Sequence, residues 1–286
     1  MAGMKAKPEC DACFLRQAED AARRLGLDSA TTANLRVAVA DELAATPTGL
    51  TPPVRASRVH ALVRERSGSP DPYRAAKAEA TRHALGLYPR LRDLVARSPD
   101  PLDTALRLAI AGNIIDLGVA ADYDLEASVG RVLSQPFAID HRPALKAALR
   151  DARSVLYLAD NAGETVFDRL LIEVLGVPVT YVVKGGPAVN DATREDARAA
   201  GLEAVCELID HGAATLGTLL DRCSEAFVQR FNTAELIIAK GMANFESLGG
   251  SRAGLYFLLQ AKCAVIAEHL GVAEKAIVVL EDRPGG

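Results

Sequence analysis

Asp160 and Asn161 close a short run of Val, Leu and Tyr, and Asn190 with Asp191 stands beyond a second such run. Two carboxylates and a carboxamide are hard oxygen donors of the kind that hold Mg²⁺ or Mn²⁺, whereas no histidine or cysteine cluster has zinc spacing. Lys184 ends the second run, and Lys240 with Asn244 ends a later one. Lysines beside an oxygen-ligated cation point to an anionic ligand, and phosphate is the commonest that uses both. Gly185, Gly186 and Gly241 let backbone N–H groups approach such a ligand. Singly, these residues are ordinary. An Asp-Asn pair at a strand end usually makes a turn or a helix cap, Asn190-Asp191 can simply begin the next helix, and Lys240 can be solvated surface. Three polar clusters at the ends of three separate apolar runs, with carboxylate and lysine together, are more than caps alone explain.

The elements that must position these side chains follow from periodicity. Runs at 155–159, 179–183, 204–209, 236–239 and 276–280 are short, rich in Val, Ile and Leu, and alternate with helical stretches. That alternation predicts a parallel sheet with helices on its faces. If the strands are parallel, Asp160, Asn161, Lys184, Asn190, Asp191, Lys240 and Asn244 all emerge at one sheet edge, where ligands bind in open α/β folds. Val166, Phe167, Leu170 and Leu171 follow Glu164 at helical spacing, and Thr193 with Asp196 resembles a capping box. The spacing of Leu255, Leu258, Leu259, Ile266 and Leu270 predicts one long helix over 252–270, with Lys262 on its buried stripe. Before residue 150 the chain reads as helix after helix. Asp71-Pro72 and Asp100-Pro101 are helix starts, and no alternating strand is evident. The expected organisation is a helical part over 1–150 and an α/β core over 151–286.

Composition sets limits. The 286 residues carry a net charge of −4, 49% hydrophobic and 24% charged residues, values of an ordinary globular protein. There is no basic footprint for nucleic acid, no apolar run of membrane-span length and no signal-peptide pattern, so a soluble, cytoplasmic protein with neither nucleic-acid nor membrane partners is expected. Five cysteines do not suggest a disulfide framework. Cys10 and Cys13 form a Cys-x-x-Cys that can be redox-active, half of a metal site completed by Cys263, or incidental thiols near a helix start. Cys206 reads as core. His60, His83, His141, His211 and His269 share no motif and read as structural or surface residues.

The segments ECDACFLRQ (9–17), GNIID (112–116), DNAGE (160–164), KGGPAVNDAT (184–193) and KGMANFESL (240–248) together resemble the damage-control phosphatase family, once listed as a domain of unknown function numbered eighty-nine. The resemblance covers nearly the whole chain and is nearest to the short prokaryotic branch with an N-terminal Cys-x-x-Cys. It implies a helical N-terminal part packed on a Rossmann-like, three-layer α/β/α core with a mostly parallel sheet. It also implies a divalent-metal-dependent phosphatase (Mn, Co, Ni or Mg) acting on a small phosphorylated metabolite. Carried over by motif, the metal ligands fall on Asp160, Asn161 and Asp191, and the phosphate-binding lysines on Lys240 and Lys262. Substrate contacts are expected from Asn113, Glu164, Lys184, Asn190, Gly241 and Asn244. Met242 stands where relatives often have Gln, which places the substrate's identity in question. Whether Asp160 ligates or attacks the phosphorus is open from sequence. A methyltransferase and a non-catalytic metabolite-binding protein are the alternatives. The first lacks a glycine-rich loop after its first strand.

Overall fold

The computed structural model describes residues 4–47, 49–112 and 125–284, so Asn113 of the GNIID motif lies outside the described residues. Three helices open the chain, α1 (Pro8–Arg24), α2 (Ser29–Ala45) and α3 (Pro52–Ser67). They bury Phe14, Ala18, Leu35, Val39, Val59 and Val63 against one another. Arg55, 2% exposed, clamps the three: its guanidinium donates to Asp11 on α1 at 2.8 Å and to the carbonyls of Leu43, Thr46 and Pro47. His60 is buried beside it, with Nε2 2.9 Å from Gln17 Oε1. Burial, helped by Arg64, pushes its imidazole down to about 4. The unfolded imidazole takes a proton near pH 6.5 and the folded one only near 4, so protonation favours the unfolded chain as pH falls through that window. The stability advantage of the parent over His60→Gln is therefore expected to shrink by up to about 3 kcal/mol between pH 7 and pH 4. Urea unfolding at each pH reads this, and a gap independent of pH would show that His60 does not stay neutral in the fold.

The chain continues through α4 (Arg74–Arg97), α5 (Pro101–Ala111), α6 (Leu125–Ser134), β1 (Phe137–Asp140), α7 (Arg142–Asp151), β2 (Val155–Leu158), α8 (Thr165–Ile172), β3 (Val179–Val183), α9 (Arg194–Ala199), β4 (Glu207–Asp210), α10 (Glu225–Thr233), β5 (Leu236–Lys240), α11 (Gly241–Leu248), β6 (Leu255–Gln260), α12 (Ala264–Leu270) and β7 (Ile277–Glu281). The seven strands among the described residues form one sheet in the order β1-β7-β6-β5-β2-β3-β4. β2 to β6 run parallel, while β7 is antiparallel to β6 and carries β1 parallel to itself. Tyr157, Tyr181, Ile238 and Leu258 face one helical layer, with Leu91, Leu108, Phe167 and Leu171. Leu158, Val182, Ile237 and Phe257 face the other, with Phe227, Phe245 and Ile266. The result is the three-layer α/β/α arrangement expected. Lys77 of α4 links it to the α9 cap, with Nζ 3.1 Å from Asp196 and 2.8 Å from Asp71. No helix among the described residues is long and apolar enough to cross a membrane.

From β2 the chain builds outward through β3 and β4, then returns to the other side of β2 with β5 and β6. The strand order thus reverses between β2 and β5. That switch point opens a crevice at the carboxyl ends of both strands.

Three expectations fail. The stretch 252–270 is a strand, a loop and a short helix, because Leu255 to Leu259 are all buried between β5 and β7. In a strand covered on both faces there is no alternation to see, and leucines three and four apart imitate a helix. The N-terminal half does contain a strand: β1 is four residues at the sheet edge with every second residue exposed, too short to announce itself. β1 and α7 thus join the sheet layer ahead of residue 151. Finally, α4 starts at Arg74 and not at Pro72, Asp71 Oδ1 instead accepting from Tyr73 N at 3.1 Å in a turn. At Asp100 the expected cap is present, its carboxylate accepting from Asp103 N at 3.0 Å with Pro101 opening α5. The Thr193 and Asp196 box is also present.

Candidate active site

The crevice is built by lacing two loops together. Beyond β2, Asp160 O accepts from Ala192 N, and Ala162 N donates to Asn190 O, both at 2.8 Å; Lys184 N at the end of β3 donates to Ala192 O at 2.9 Å. Asn161 and Asp191 are bridged by this ladder, so the Asp160-Asn161 and Asn190-Asp191 pairs lie side by side. Val189, just before them, has φ +50, a left-handed conformation that is an outlier for a β-branched residue. Such strain persists where the surroundings fix it, commonly at functional sites.

Burial dominates the electrostatics. Asp160, Glu164 and Asp191 are 7%, 4% and 2% exposed. Burial first, then Glu164 and Asp191, pushes Asp160 up to about 8, against Lys262 and Lys184. Burial likewise lifts Asp191 to about 6, offset mainly by Lys184, whose Nζ is 3.4 Å from Asp191 Oδ2. Burial would also raise Glu164, but Lys240 and Lys262 outweigh it and hold the group below its ordinary value. Asn161 Nδ2 donates to Asp160 Oδ2 at 3.0 Å and to Glu164 Oε1 at 2.6 Å. Glu246 on α11 is lifted to about 8 by burial and Asp160. The crevice is an acidic cluster short of positive charge.

Lys240 is wholly enclosed and donates to Glu164 Oε2 at 3.0 Å and to Asp168 Oδ1 at 2.8 Å, which leaves one ammonium N–H. Asp168, the second carboxylate holding Lys240, is a residue that sequence reasoning missed. It also accepts from Tyr157 at 2.8 Å and Tyr181 at 2.7 Å, two tyrosines in register on β2 and β3. An acid inside the apolar stripe of α8, between Phe167 and Leu171, was the available signal.

The remaining expected residues divide. Lys262 is exposed in the β6–α12 loop and not on a helix stripe, with its backbone N–H on Met242 Sδ at 3.4 Å. It still acts on Asp160 and Glu164, so it stands near the crevice by another route. Lys184 Nζ donates to Gly217 O at 2.9 Å and stays beside Asp191. Asn244 is buried with its amide committed: Nδ2 donates to Ala159 O and Lys240 O, and Oδ1 accepts from Thr218. It fixes the ends of β2 and β5 and offers no free group. Gly185 is also not a ligand contact, since its N–H donates to Ala213 O at 2.8 Å and a Cβ there would strike Gly212. Gly241 has φ +81, and a Cβ on it would overlap the Asp160 carboxylate. Gly241→Ala is expected to leave the sheet intact while displacing Asp160, with turnover falling about 100-fold, as for an ångström-scale misplacement. Undiminished turnover would show that Asp160 need not sit where it does.

Asn161, Glu164 and Asn190 line a cavity of about 730 Å³ whose other wall is α1 and α4. Asp160, Asp191 and Lys240 do not line it. Cys13 does, whereas Cys10 and Cys263 pack against the core and burial raises the Cys10 thiol. Cys206 packs against the other core face, its thiol lifted by burial to about 11. All five cysteines are free.

Could the crevice hold a cation? Among the described residues no three His, Cys, Asp or Glu side chains converge on a metal position. Asp160 and Asp191 with the Asn161 carboxamide give a different set, carboxylate and amide oxygens to which water would be added. One observation fits that set: Asp191 Oδ2 is buried without a hydrogen bond. Leaving a buried carboxylate oxygen without a hydrogen bond is costly, and a divalent ion would relieve it together with the repulsion among the acids.

The layered fold and its switch-point crevice define an α/β protein that gathers acids and lysines at one sheet edge. The chain belongs to the Damage-control phosphatase ARMT1-like domain family, whose sequence model matches residues 6–278. It is 35% identical over 223 residues to a damage-control phosphatase of Pyrococcus horikoshii, covering 76% of each chain. It is 36% identical over 226 residues to a damage-control phosphatase of Archaeoglobus fulgidus, covering 76% of this chain and 78% of that one. An uncharacterized protein of Methanocaldococcus jannaschii is 34% identical over 283 residues, 94% of this chain and 93% of its own. The crystal structure of a DUF89 family protein from P. horikoshii superposes with a TM-score of 0.89 at 31% identity, covering 98% of this chain and 100% of that chain.

Proposed function

We propose that the chain is a divalent-metal-dependent phosphatase that hydrolyses phosphate monoesters of small metabolites. The observation that carries the proposal is the laced pair of buried aspartates, Asp160 and Asp191, with Asp191 Oδ2 buried without a hydrogen bond and Lys184 Nζ 3.4 Å away. Two relatives named as damage-control phosphatases support it.

Asp160, Asn161 and Asp191 would hold the cation, which when bound lowers the pKa of a water and neutralises phosphoryl charge. Lys184 offsets part of the rise that burial imposes on Asp191. The remaining N–H of Lys240 and the exposed ammonium of Lys262 are the cations left to meet phosphoryl oxygens. Asn161 and Glu164 form the wall between the acids and the cavity, where Asn190 adds a polar contact. Asp160 Oδ2 already accepts from Asn161 and is boxed in by Gly241, an environment suited to a fixed ligand. Inversion at a chiral phosphorus would accord with direct attack by water, whereas retention would make Asp160 the nucleophile.

The test is phosphate release from an aryl phosphate and a panel of sugar phosphates, nucleotides and phosphorylated cofactors, in chelator and with Mn²⁺, Co²⁺, Ni²⁺ or Mg²⁺. Release that needs the metal is expected, together with a metal-dependent rise in Tm. Release unaffected by chelator would remove the metal from the reading. Metal and ester binding without release would make the chain a phosphometabolite-binding protein.

A further inference from the structure

The cavity is larger than a phosphoryl group requires. Its volume of about 730 Å³ is in the range of whole small-molecule sites. The charges on its far wall are not all accounted for. Arg24 is matched by Asp20 at 2.6 Å, Lys77 by Asp71 and Asp196, and Glu79 faces Arg82 at 3.8 Å. Arg16 on α1 and His83 on α4 line the same cavity and make no ion pair or hydrogen bond with any described residue. Both come from helices outside the sheet, across the cavity from Asn161 and Glu164.

Resting on the phosphatase reading above, we infer that this wall is a second anion subsite: Arg16, assisted by His83, receives a carboxylate or a second phosphate carried by the leaving group of the ester. An unpaired guanidinium has five donors in a fork that matches either anion, and His83 adds a ring N–H donor. A leaving group bearing only hydroxyls would leave the Arg16 charge without a partner. The substrate class is thus a small phosphate ester with a second anionic end.

The experiment compares matched esters, glycerol 3-phosphate against 3-phosphoglycerate and fructose 6-phosphate against fructose 1,6-bisphosphate, in the parent, Arg16→Gln, Arg16→Lys and His83→Gln. The parent is expected to favour the more anionic member of at least one pair at least tenfold in kcat/KM. The pair that shows it identifies the anion as carboxylate or phosphate. Arg16→Gln should shrink that preference by about 10- to 100-fold through KM, the range of a hydrogen bond to a charged group. Arg16→Lys should keep part of the preference, and His83→Gln should lose less than Arg16→Gln. Because Arg16 is exposed and His83 is half-exposed without a partner among the described residues, each variant is expected to match the parent in Tm. A parent without preference in either pair, or a preference unchanged in Arg16→Gln, overturns the subsite. Calorimetric titration of the same four compounds reads the subsite even if no phosphate is released, so its failure is distinct from failure of the phosphatase reading.

Discussion

Asp191→Asn is expected to lower metal-dependent phosphate release by more than about 100-fold while the protein stays folded. Removing a group next to a metal already costs about 10- to 100-fold, and Asp191 is placed in the ligand set itself. The residue is almost fully buried, and its Oδ2 has Lys184 at 3.4 Å but no hydrogen bond. Two effects on stability oppose one another. Neutralising Asp191 deprives Lys184 of its carboxylate, but that lysine keeps the Gly217 carbonyl. It also relieves the repulsion that burial concentrates among Asp160, Glu164 and Asp191. With acids in excess around the crevice, stability in chelator should stay within about 1 kcal/mol of the parent. The second signature is linkage. At a metal concentration a hundred times its Kd the parent should gain about 2.7 kcal/mol, and the variant almost none. A variant whose Tm still rises with Mn²⁺ as the parent's does would remove Asp191 from the ligand set.

What the sequence made legible follows from how a parallel sheet buries its strands. β2, β3 and β5 are continuous apolar runs, and each ends in residues whose polarity has no place in a core, so Asp160, Lys184 and Lys240 declared both the strands and their carboxyl ends. β6 is equally buried but ends in Gln260, and its leucines at 255, 258 and 259 mimic a helix. The error carried Lys262 onto a helix it does not occupy, although the lysine still acts on Asp160. Asn244 was legible as a candidate residue but not in its role, since only the fold spends its amide on Ala159, Lys240 and Thr218. Asp168 was hidden for the opposite reason. An acid in the first turn of a helix has a ready explanation in the helix dipole, and Tyr157 and Tyr181 look like strand filler until their hydroxyls converge on it.

That convergence makes Lys240 the residue whose structural and chemical roles most need separating. Burial alone would push its ammonium down, but Asp168 and Glu164 outweigh burial and hold it charged. Lys240→Met leaves both carboxylates enclosed without their cation, a loss expected to be about 3–5 kcal/mol. Turnover should fall at least about 100-fold if, as proposed, its remaining N–H meets the phosphoryl group. The single variant cannot divide these effects, but Lys240→Met combined with Asp168→Asn can. The carboxamide that replaces the Asp168 carboxylate still accepts from one tyrosine through its oxygen. The other tyrosine hydroxyl, now facing the amide nitrogen, can turn to accept, so the pocket stays hydrogen-bonded with one fewer orphaned charge. The double variant should recover about 1–3 kcal/mol relative to Lys240→Met, the usual range of coupling between contacting residues. Its turnover should stay at the level of the single variant. Stability by urea unfolding and kcat/KM on the same preparations read the two outcomes. Recovery of turnover along with stability would reduce Lys240 to the counterion of Asp168 and Glu164, and leave Lys262 to meet the phosphoryl oxygens alone.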